Sequence, residues 1–156
     1  MQGYERLLKL LLDNEVEFVL IGGFAAVVHG CTVLTQDVDV CISFDEDNMR
    51  RLLAALKDHD PRFRQNKEPI DKSAKALSRM KNLYLITDMG SLDLLLEVAD
   101  IGDYEAVLDS SIAIDLFGRQ CRVLDIDGLI RSKKGMGRAK DKEAVVQLSA
   151  IKEKSE

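Results

Sequence analysis

A strand broken by two glycines constrains the fold of this chain more than any other feature. Within the segment EFVLIGGFAAVVHG, residues 17–21 predict a short strand and residues 24–28 predict a short helix. Gly22 and Gly23 stand where the strand ends and the helix begins. Glycine lets the backbone approach a bulky ligand, and amides at the start of a helix attract phosphate. A plain strand–helix turn uses the same residues, so the pair alone leaves both interpretations open.

Two aspartates, Asp37 and Asp39, follow inside a second apolar run. Residues 37–42 (DVDVCI) alternate charged and apolar side chains, which predicts a strand with both aspartates on one face. Two such carboxylates can share a divalent metal ion that bridges nucleotide phosphates, although a solvent-facing edge strand would alternate in the same way. Asp93, in the otherwise apolar run SLDLLLEV, is a candidate third carboxylate or a strand-entry residue near a turn.

The remaining segments predict an α/β (α+β) chain with a small mixed sheet flanked by helices. Further helices are predicted at 4–14, at 45–56 with Asp45 as the N-cap, at 126–133 and at 140–151. Strands are predicted at 83–86 and 92–96 around a turn at 88–90, and at 112–117 and 120–124 as a hairpin around Gly118. Residues 59–75 contain both prolines and predict a loop with a short helical piece. We expect one domain over residues 1–156.

Composition and charge exclude several classes of protein. Hydrophobic residues make up 46% and charged residues 31%, as in soluble globular proteins. The net charge of −5 argues against a protein that coats nucleic acid, although a local basic patch can still bind phosphate. Cys31, Cys41 and Cys121 lack metal-site spacing, which favours reduced thiols in a cytoplasmic protein. The apolar run at 7–12 is too short to cross a bilayer, so we expect no membrane partner.

Together these motifs resemble the signature of the nucleotidyltransferase superfamily related to DNA polymerase beta. The shared order is a hydrophobic strand, Gly-Gly, a short helix and then Asp-hydrophobic-Asp-hydrophobic. The finer pattern IGGFAAVVHG...T.DVDV is similar to the small prokaryotic branch of minimal nucleotidyltransferases, which includes many toxin–antitoxin components. The strand LDLL and the tail GLIRSKKGMGRAKDKEAVVQL match as well, so the resemblance extends over residues 18–148.

The resemblance implies the nucleotidyltransferase fold and a role for each matched residue. Gly22 and Gly23 would hold a nucleoside triphosphate, and Asp37 and Asp39 would bind two Mg²⁺ or Mn²⁺ ions. Asp93 would complete the catalytic metal site and help to activate the acceptor hydroxyl. The implied reaction is in-line attack of that hydroxyl on the α-phosphate, with release of pyrophosphate.

Cations that could bind the triphosphate come from another part of the chain. The branch often carries an arginine at the position of Val33, while Thr35, also a nucleotide-binding candidate, is kept. The basic segment near the C-terminus could replace that arginine, and its nucleotide-binding candidates are Lys133, Arg138 and Lys140, with Lys134 beside them. A solvated basic helix end would show the same charges.

Two other motifs receive structural interpretations. The segment VLDIDGLI, residues 123–130, looks like the nucleophile motif of haloacid-dehalogenase phosphatases, but only 26 residues follow it. We instead expect Asp125 or Asp127 to cap the helix that begins there. His29 is expected to pack at the end of its helix.

Two classes of function remain open. The first is an active nucleotidyltransferase that modifies a protein, an RNA end or a small molecule. The second is an antitoxin-like module that binds a nucleotide or a partner protein of a toxin–antitoxin pair without turnover. The three aspartates favour the first class, whereas Val33 and the small size of the chain favour the second.

Overall fold

A seven-stranded mixed sheet organises the part of the chain that the computed structural model describes, residues 3–32 and 35–155. The helices are α1 (Gly3–Asp13), α2 (Gly22–Val28), α3 (Glu46–Leu56), α4 (Ala74–Ser78), α5 (Tyr104–Asp109), α6 (Ile126–Lys134) and α7 (Ala139–Ser155). The strands are β1 (Phe18–Ile21), β2 (Val38–Ile42), β3 (Arg62–Phe63), β4 (Asn82–Thr87), β5 (Gly90–Leu95), β6 (Glu97–Val98), β7 (Gly102–Asp103), β8 (Ser111–Leu116) and β9 (Arg119–Leu124).

The strand order of the large sheet is β3-β4-β5-β2-β1-β9-β8, and β6 and β7 form a separate pair. At its centre, β2 runs antiparallel to β1 and parallel to β5, and β1 runs parallel to β9. The β4–β5 and β8–β9 pairs are antiparallel hairpins, as the sequence predicts. The predicted fold class, a small mixed sheet flanked by helices, is therefore confirmed.

Apolar side chains from the central strands and from α1 form the core. All four residues of β1 are buried, because both faces of this strand are covered. Helix α1 buries Leu7, Leu8 and Leu11, whose spacing places them on one side of the helix. The three cysteines are free and buried. None of the described helices is long and apolar enough to cross a membrane.

Aspartates begin two helices that the sequence analysis singled out. The Asp45 carboxylate accepts a hydrogen bond from the Asn48 N–H at 2.7 Å, which confirms it as the N-cap of α3. The Asp125 carboxylate accepts from the Gly128 N–H at 2.7 Å and caps α6. The structural interpretation of VLDIDGLI is therefore confirmed, with Asp125 rather than Asp127 as the cap.

Short elements account for most of the differences from the prediction. Helix α2 begins at Gly22, two residues earlier than predicted, so both glycines belong to its first turn. The segment 59–75 contains the two-residue strand β3, and its helical piece, α4, begins at Ala74 and continues beyond it to Ser78. Elements β6, β7 and α5 were not predicted, because elements this short carry too few residues to show a period.

His29 lies at the C-terminal end of α2, as expected from the sequence. Its Nε2 atom is 2.9 Å from the carbonyl oxygen of Leu124, the last residue of β9. This contact ties the end of the helix to the neighbouring parallel strand and gives the residue a packing role.

Candidate functional site

Two of the three predicted aspartates are direct neighbours in the sheet. Asp39 on β2 is paired with Asp93 on β5 in the parallel ladder, and with Ile21, the last residue of β1, on its other side. Paired residues of adjacent strands point to the same face of a sheet. Asp37 precedes β2 by one residue and lines the same cleft as Asp39 and Asp93. Two strands that are far apart in sequence, β2 and β5, thus bring the three aspartates to one cleft.

The cleft above this edge of the sheet has a volume of about 890 Å³. Its lining includes nine residues that the sequence analysis named as site candidates: Gly22, Gly23, Thr35, Asp37, Asp39, Asp93, Lys133, Arg138 and Lys140. Lys134, named beside them, lines a different pocket. We call the side formed by the three aspartates the acidic wall, and the side formed by Lys133, Arg138 and Lys140 the basic wall. Val33, the position where an arginine was missing, lies outside the described residues.

Within the acidic wall, the charged form of Asp39 is disfavoured. Burial and the nearby Asp37 carboxylate raise its pKa to about 6 from the ordinary value of 3.8. The positive charges of Lys133, Lys140 and Arg64 oppose this shift without cancelling it. Burial is the larger of the two causes, so the folded protein disfavours the charged form of Asp39.

An arginine that was not predicted contacts the acidic wall. The Arg64 guanidinium donates a short hydrogen bond to the Asp93 carboxylate, and its other terminal nitrogen lies 4.0 Å from Asp37 Oδ2. Arg64 comes from the polar segment between α3 and β4, where nothing in the local sequence distinguishes it from Arg62. Only the pairing of β3 with β4 brings it to the site.

Carboxylates on rigid strands are suitable ligands for Mg²⁺ or Mn²⁺, and the placement of Asp37, Asp39 and Asp93 agrees with that donor chemistry. Within residues 3–32 and 35–155, however, no three His, Cys, Asp or Glu side chains are gathered closely enough to hold an ion. The Arg64 guanidinium lies against two of these carboxylates. The three carboxylates are thus suitable ligands for a divalent cation, but they are not gathered closely enough here to bind one ion together.

The two glycines allow a close approach between the strand–helix turn and the cleft residues. Gly22 adopts the left-handed conformation, with φ +70°, and a Cβ atom there would lie 2.4 Å from Asp39 Oδ2. A Cβ atom on Gly23 would lie 2.6 Å from the Thr35 hydroxyl oxygen. Both residues are therefore required by contacts within the protein, and their contact with a triphosphate stays a prediction.

The basic wall is built around a buried ion-pair network. Arg138 donates two hydrogen bonds to the Asp141 carboxylate, from Nε at 2.5 Å and from Nη2 at 3.2 Å. Lys133 Nζ lies 4.0 Å from the same carboxylate, and the side chains of Lys133 and Asp141 are only 9% and 1% exposed. Burial lowers the pKa of Lys133, while the negative charges of Asp141 and Asp39 act in the opposite direction. Lys133 is thus a buried cation, which excludes the simple interpretation as a solvated helix end.

Asp141 is the second functional candidate that was not predicted as a site residue. It lies in α7 on the same face as the buried residues Ala144 and Leu148, at the spacing of a helical stripe. That spacing was the available signal, since an aspartate in register with buried apolar residues needs a cation as partner. Asp141 positions Lys133 and Arg138 at the cleft.

Comparison with known proteins agrees with this fold. The chain superimposes on the crystal structure of a "putative nucleotidyltransferase" from Thermotoga maritima with a TM-score of 0.57, over 94% of each chain. The two sequences are 17% identical, so the similarity establishes a shared fold and no more. No protein-family model matches the chain, and no curated protein matches it in sequence.

Proposed function

We propose that the protein transfers a nucleotide from a nucleoside triphosphate to a hydroxyl acceptor in a metal-dependent reaction that releases pyrophosphate. One observation carries the proposal: a single cleft of about 890 Å³ is lined both by the three aspartates and by Lys133, Arg138 and Lys140. The positive charges of Lys133 and Lys140 act on Asp39 within it. A metal–triphosphate complex has this same polarity, because its ion attracts carboxylates and its phosphate oxygens attract cations. The shared fold and the sequence motifs support the same conclusion.

The acidic wall would hold the metal. Asp37, Asp39 and Asp93 would bind one or two Mg²⁺ or Mn²⁺ ions, which supply charge stabilisation to the attacking and leaving oxygens when bound. Burial raises the pKa of Asp39 to about 6, and a bound cation would favour its charged form. Asp93, at the side of the cleft nearest Tyr84, is the candidate to orient the acceptor hydroxyl.

The basic wall would bind the phosphates of the nucleotide. Lys133 is buried, so its charge is screened by solvent less than that of a surface lysine. Arg138 is fixed by two hydrogen bonds to Asp141, which orients its guanidinium without neutralising Lys140. Gly22 and Gly23 would allow the phosphate chain to pass close to the backbone between the two walls.

The direct test is nucleotide transfer. The protein is incubated with Mg²⁺ and each α-labelled triphosphate in turn, with and without a cell lysate that offers protein, RNA and small-molecule acceptors. We expect label to become attached to one class of acceptor, and a chelator of divalent ions to abolish the transfer. Absence of transfer with all four triphosphates, in the lysate as well, would overturn the proposal.

A second function is favoured by the contact between Arg64 and the acidic wall. With a cation of the protein already on Asp93, the chain could serve as a nucleotide-binding or partner-binding module, such as an antitoxin component, without turnover. Tight nucleotide binding without any transfer in the same assay would favour this module over the enzyme.

A further inference from the structure

Arg64 is held in place from three directions. Its backbone N–H donates to the carbonyl oxygen of Tyr84 at 2.9 Å, which extends the β3–β4 ladder by one residue. Its guanidinium carbon lies 5.7 Å from the centre of the Tyr84 ring, within the range of a cation–π contact. Tyr84 is in turn the cross-strand partner of Asp93, so the arginine and its carboxylate are both anchored to Tyr84.

The segment that carries Arg64 is a tight turn. The Lys67 N–H donates to the carbonyl oxygen of Phe63 at 2.9 Å, and the Phe63 N–H donates to that of Glu68 at 3.0 Å. Lys67 adopts a left-handed conformation, with φ +64°. Residues 64–67 therefore form a compact loop whose first residue, Arg64, lies over the sheet.

The location of this ion pair distinguishes it from an ordinary surface pair. The side chains of Arg64 and Asp93 are 30% and 19% exposed, and the guanidinium also faces Asp37. Arg64 thus contacts two carboxylates of the acidic wall, where the proposed divalent ion would need its ligands.

We propose that Arg64 is the resident counter-cation of the acidic wall, and that it competes with the divalent metal ion for Asp93. This inference rests on the proposed function, because it concerns the same metal site. Without metal, the guanidinium offsets the repulsion among the three carboxylates. When an ion binds, Asp93 exchanges the guanidinium for the metal, so binding of the ion is weaker than the carboxylates alone would allow.

The chain provides a matched control for this proposal. Arg62 lies two residues before Arg64 and has the same charge, but it hydrogen-bonds to Asp60 at 3.0 Å and to the Lys67 carbonyl oxygen at 2.9 Å. Arg62→Gln therefore removes an equal charge from the adjacent strand β3 and removes none of the contacts that Arg64 makes with the acidic wall.

The experiment is a calorimetric titration of the nucleotide-free protein with Mn²⁺. Arg64→Gln should bind Mn²⁺ about tenfold more tightly than the wild type, because a positive charge a few ångströms from the ion has been removed. Arg64→Lys, which keeps the charge, should gain less, and Arg62→Gln should stay within about twofold of the wild type. Without metal, Arg64→Gln should melt at a lower temperature than Arg62→Gln, and Mn²⁺ should restore it.

The double variant Arg64→Gln/Asp93→Asn tests whether the tighter Mn²⁺ binding depends on Asp93. The gain in Mn²⁺ affinity should disappear when this shared carboxylate is removed. Equal Mn²⁺ affinity in the wild type and Arg64→Gln would overturn the counter-cation while leaving the metal site intact. Absence of Mn²⁺ binding in every variant would overturn both this inference and the proposed metal-dependent reaction.

Discussion

The two walls of the cleft compensate their charges in opposite ways. On the acidic wall, Asp37, Asp39 and Asp93 share the partly exposed Arg64 as a cation, and the pKa of Asp39 stays raised. On the basic wall, the fully buried Asp141 is surrounded by Lys133 and Arg138. On the acidic wall the charged form of Asp39 therefore stays disfavoured, whereas the basic wall has a carboxylate that pairs with Lys133 and Arg138.

This difference shows that the protein's own residues complete the ion pairing of the basic wall but not that of the acidic wall. Asp141 completes the basic wall, so its geometry depends on packing between α6 and α7. The acidic wall is completed only in part, because Arg64 contacts Asp93 and Asp37 while burial keeps the pKa of Asp39 raised. An incomplete site on a rigid sheet is the arrangement expected where an external cation is to be bound.

Removing the internal anchor of the basic wall should have the largest effect. Asp141→Asn leaves Lys133 buried without its carboxylate, and breaking a buried ion pair in this way costs about 3 kcal/mol of unfolding free energy. Urea denaturation measures the loss. Glu143→Gln, an exposed change on the same helix, should stay within about 0.5 kcal/mol of the wild type. Equal small effects of both variants would show that the basic wall does not depend on Asp141.

On the acidic wall, the comparable change should affect activity rather than folding. Asp39→Asn keeps the shape but removes one charge from the proposed metal site, so nucleotide transfer should fall by at least roughly a hundredfold. Melting without metal should be unchanged or improved, because like charges no longer face each other. The two measurements are made on the same preparation. Unchanged transfer with a lower melting temperature would assign Asp39 a structural role.

The pH dependence of stability tests the raised pKa of Asp39 directly. Because the pKa of Asp39 is raised to about 6 in the folded protein, the folded state holds this proton more tightly than the unfolded chain. Stability conferred by the proton is present below pH 4 and is lost as the pH rises to about 6. In the presence of a chelator, the unfolding free energy of Asp39→Asn should therefore exceed that of the wild type by little at pH 4 and by about 3 kcal/mol at pH 7. A difference independent of pH would contradict this.

The smallest expected effect comes from a comparison of two glycines with similar backbone φ angles. This comparison tests how rigid the acidic wall is. Gly22 and Gly118 have φ +70° and +78°, but no atom lies within 4 Å of a Cβ on Gly118. Gly118→Ala should cost about 1 kcal/mol from backbone strain alone. Gly22→Ala should cost about 1 kcal/mol more, because its Cβ meets the Asp39 carboxylate. Equal costs in urea denaturation would mean that Asp39 moves aside freely.

The sequence predicted the parts of the fold and the site that repeat over several residues. Regular apolar spacing revealed the long helices and the central strands, and the Asp-x-Asp alternation revealed one side of the acidic wall. Cap chemistry identified Asp45, and the charges around VLDIDGLI were correctly given a structural role. These signals come from residues that are close together in the sequence, so they can be recognised without knowledge of the tertiary contacts.

The features that were missed depend on contacts between distant segments. Arg64 meets Asp93 across 29 positions, and its neighbourhood of charged residues gives no sign of this pairing. The burial of Lys133 depends on how α6 packs against α7, and the sequence alone left a solvated helix end equally open. Asp141 was accessible to helical periodicity, but its neighbours Lys140 and Lys142 made that face look exposed.

Binding of inorganic triphosphate, with and without Mn²⁺, tests the central claim that the two walls together hold a metal–phosphate complex. This probe needs no choice of nucleotide base or acceptor. The account predicts that Mn²⁺ tightens triphosphate binding by about tenfold or more, and that Asp39→Asn removes this gain while leaving the weaker metal-free binding to the basic wall. Identical triphosphate affinity with Mn²⁺ and with a chelator would contradict it, because the anion would then bind to the basic wall alone.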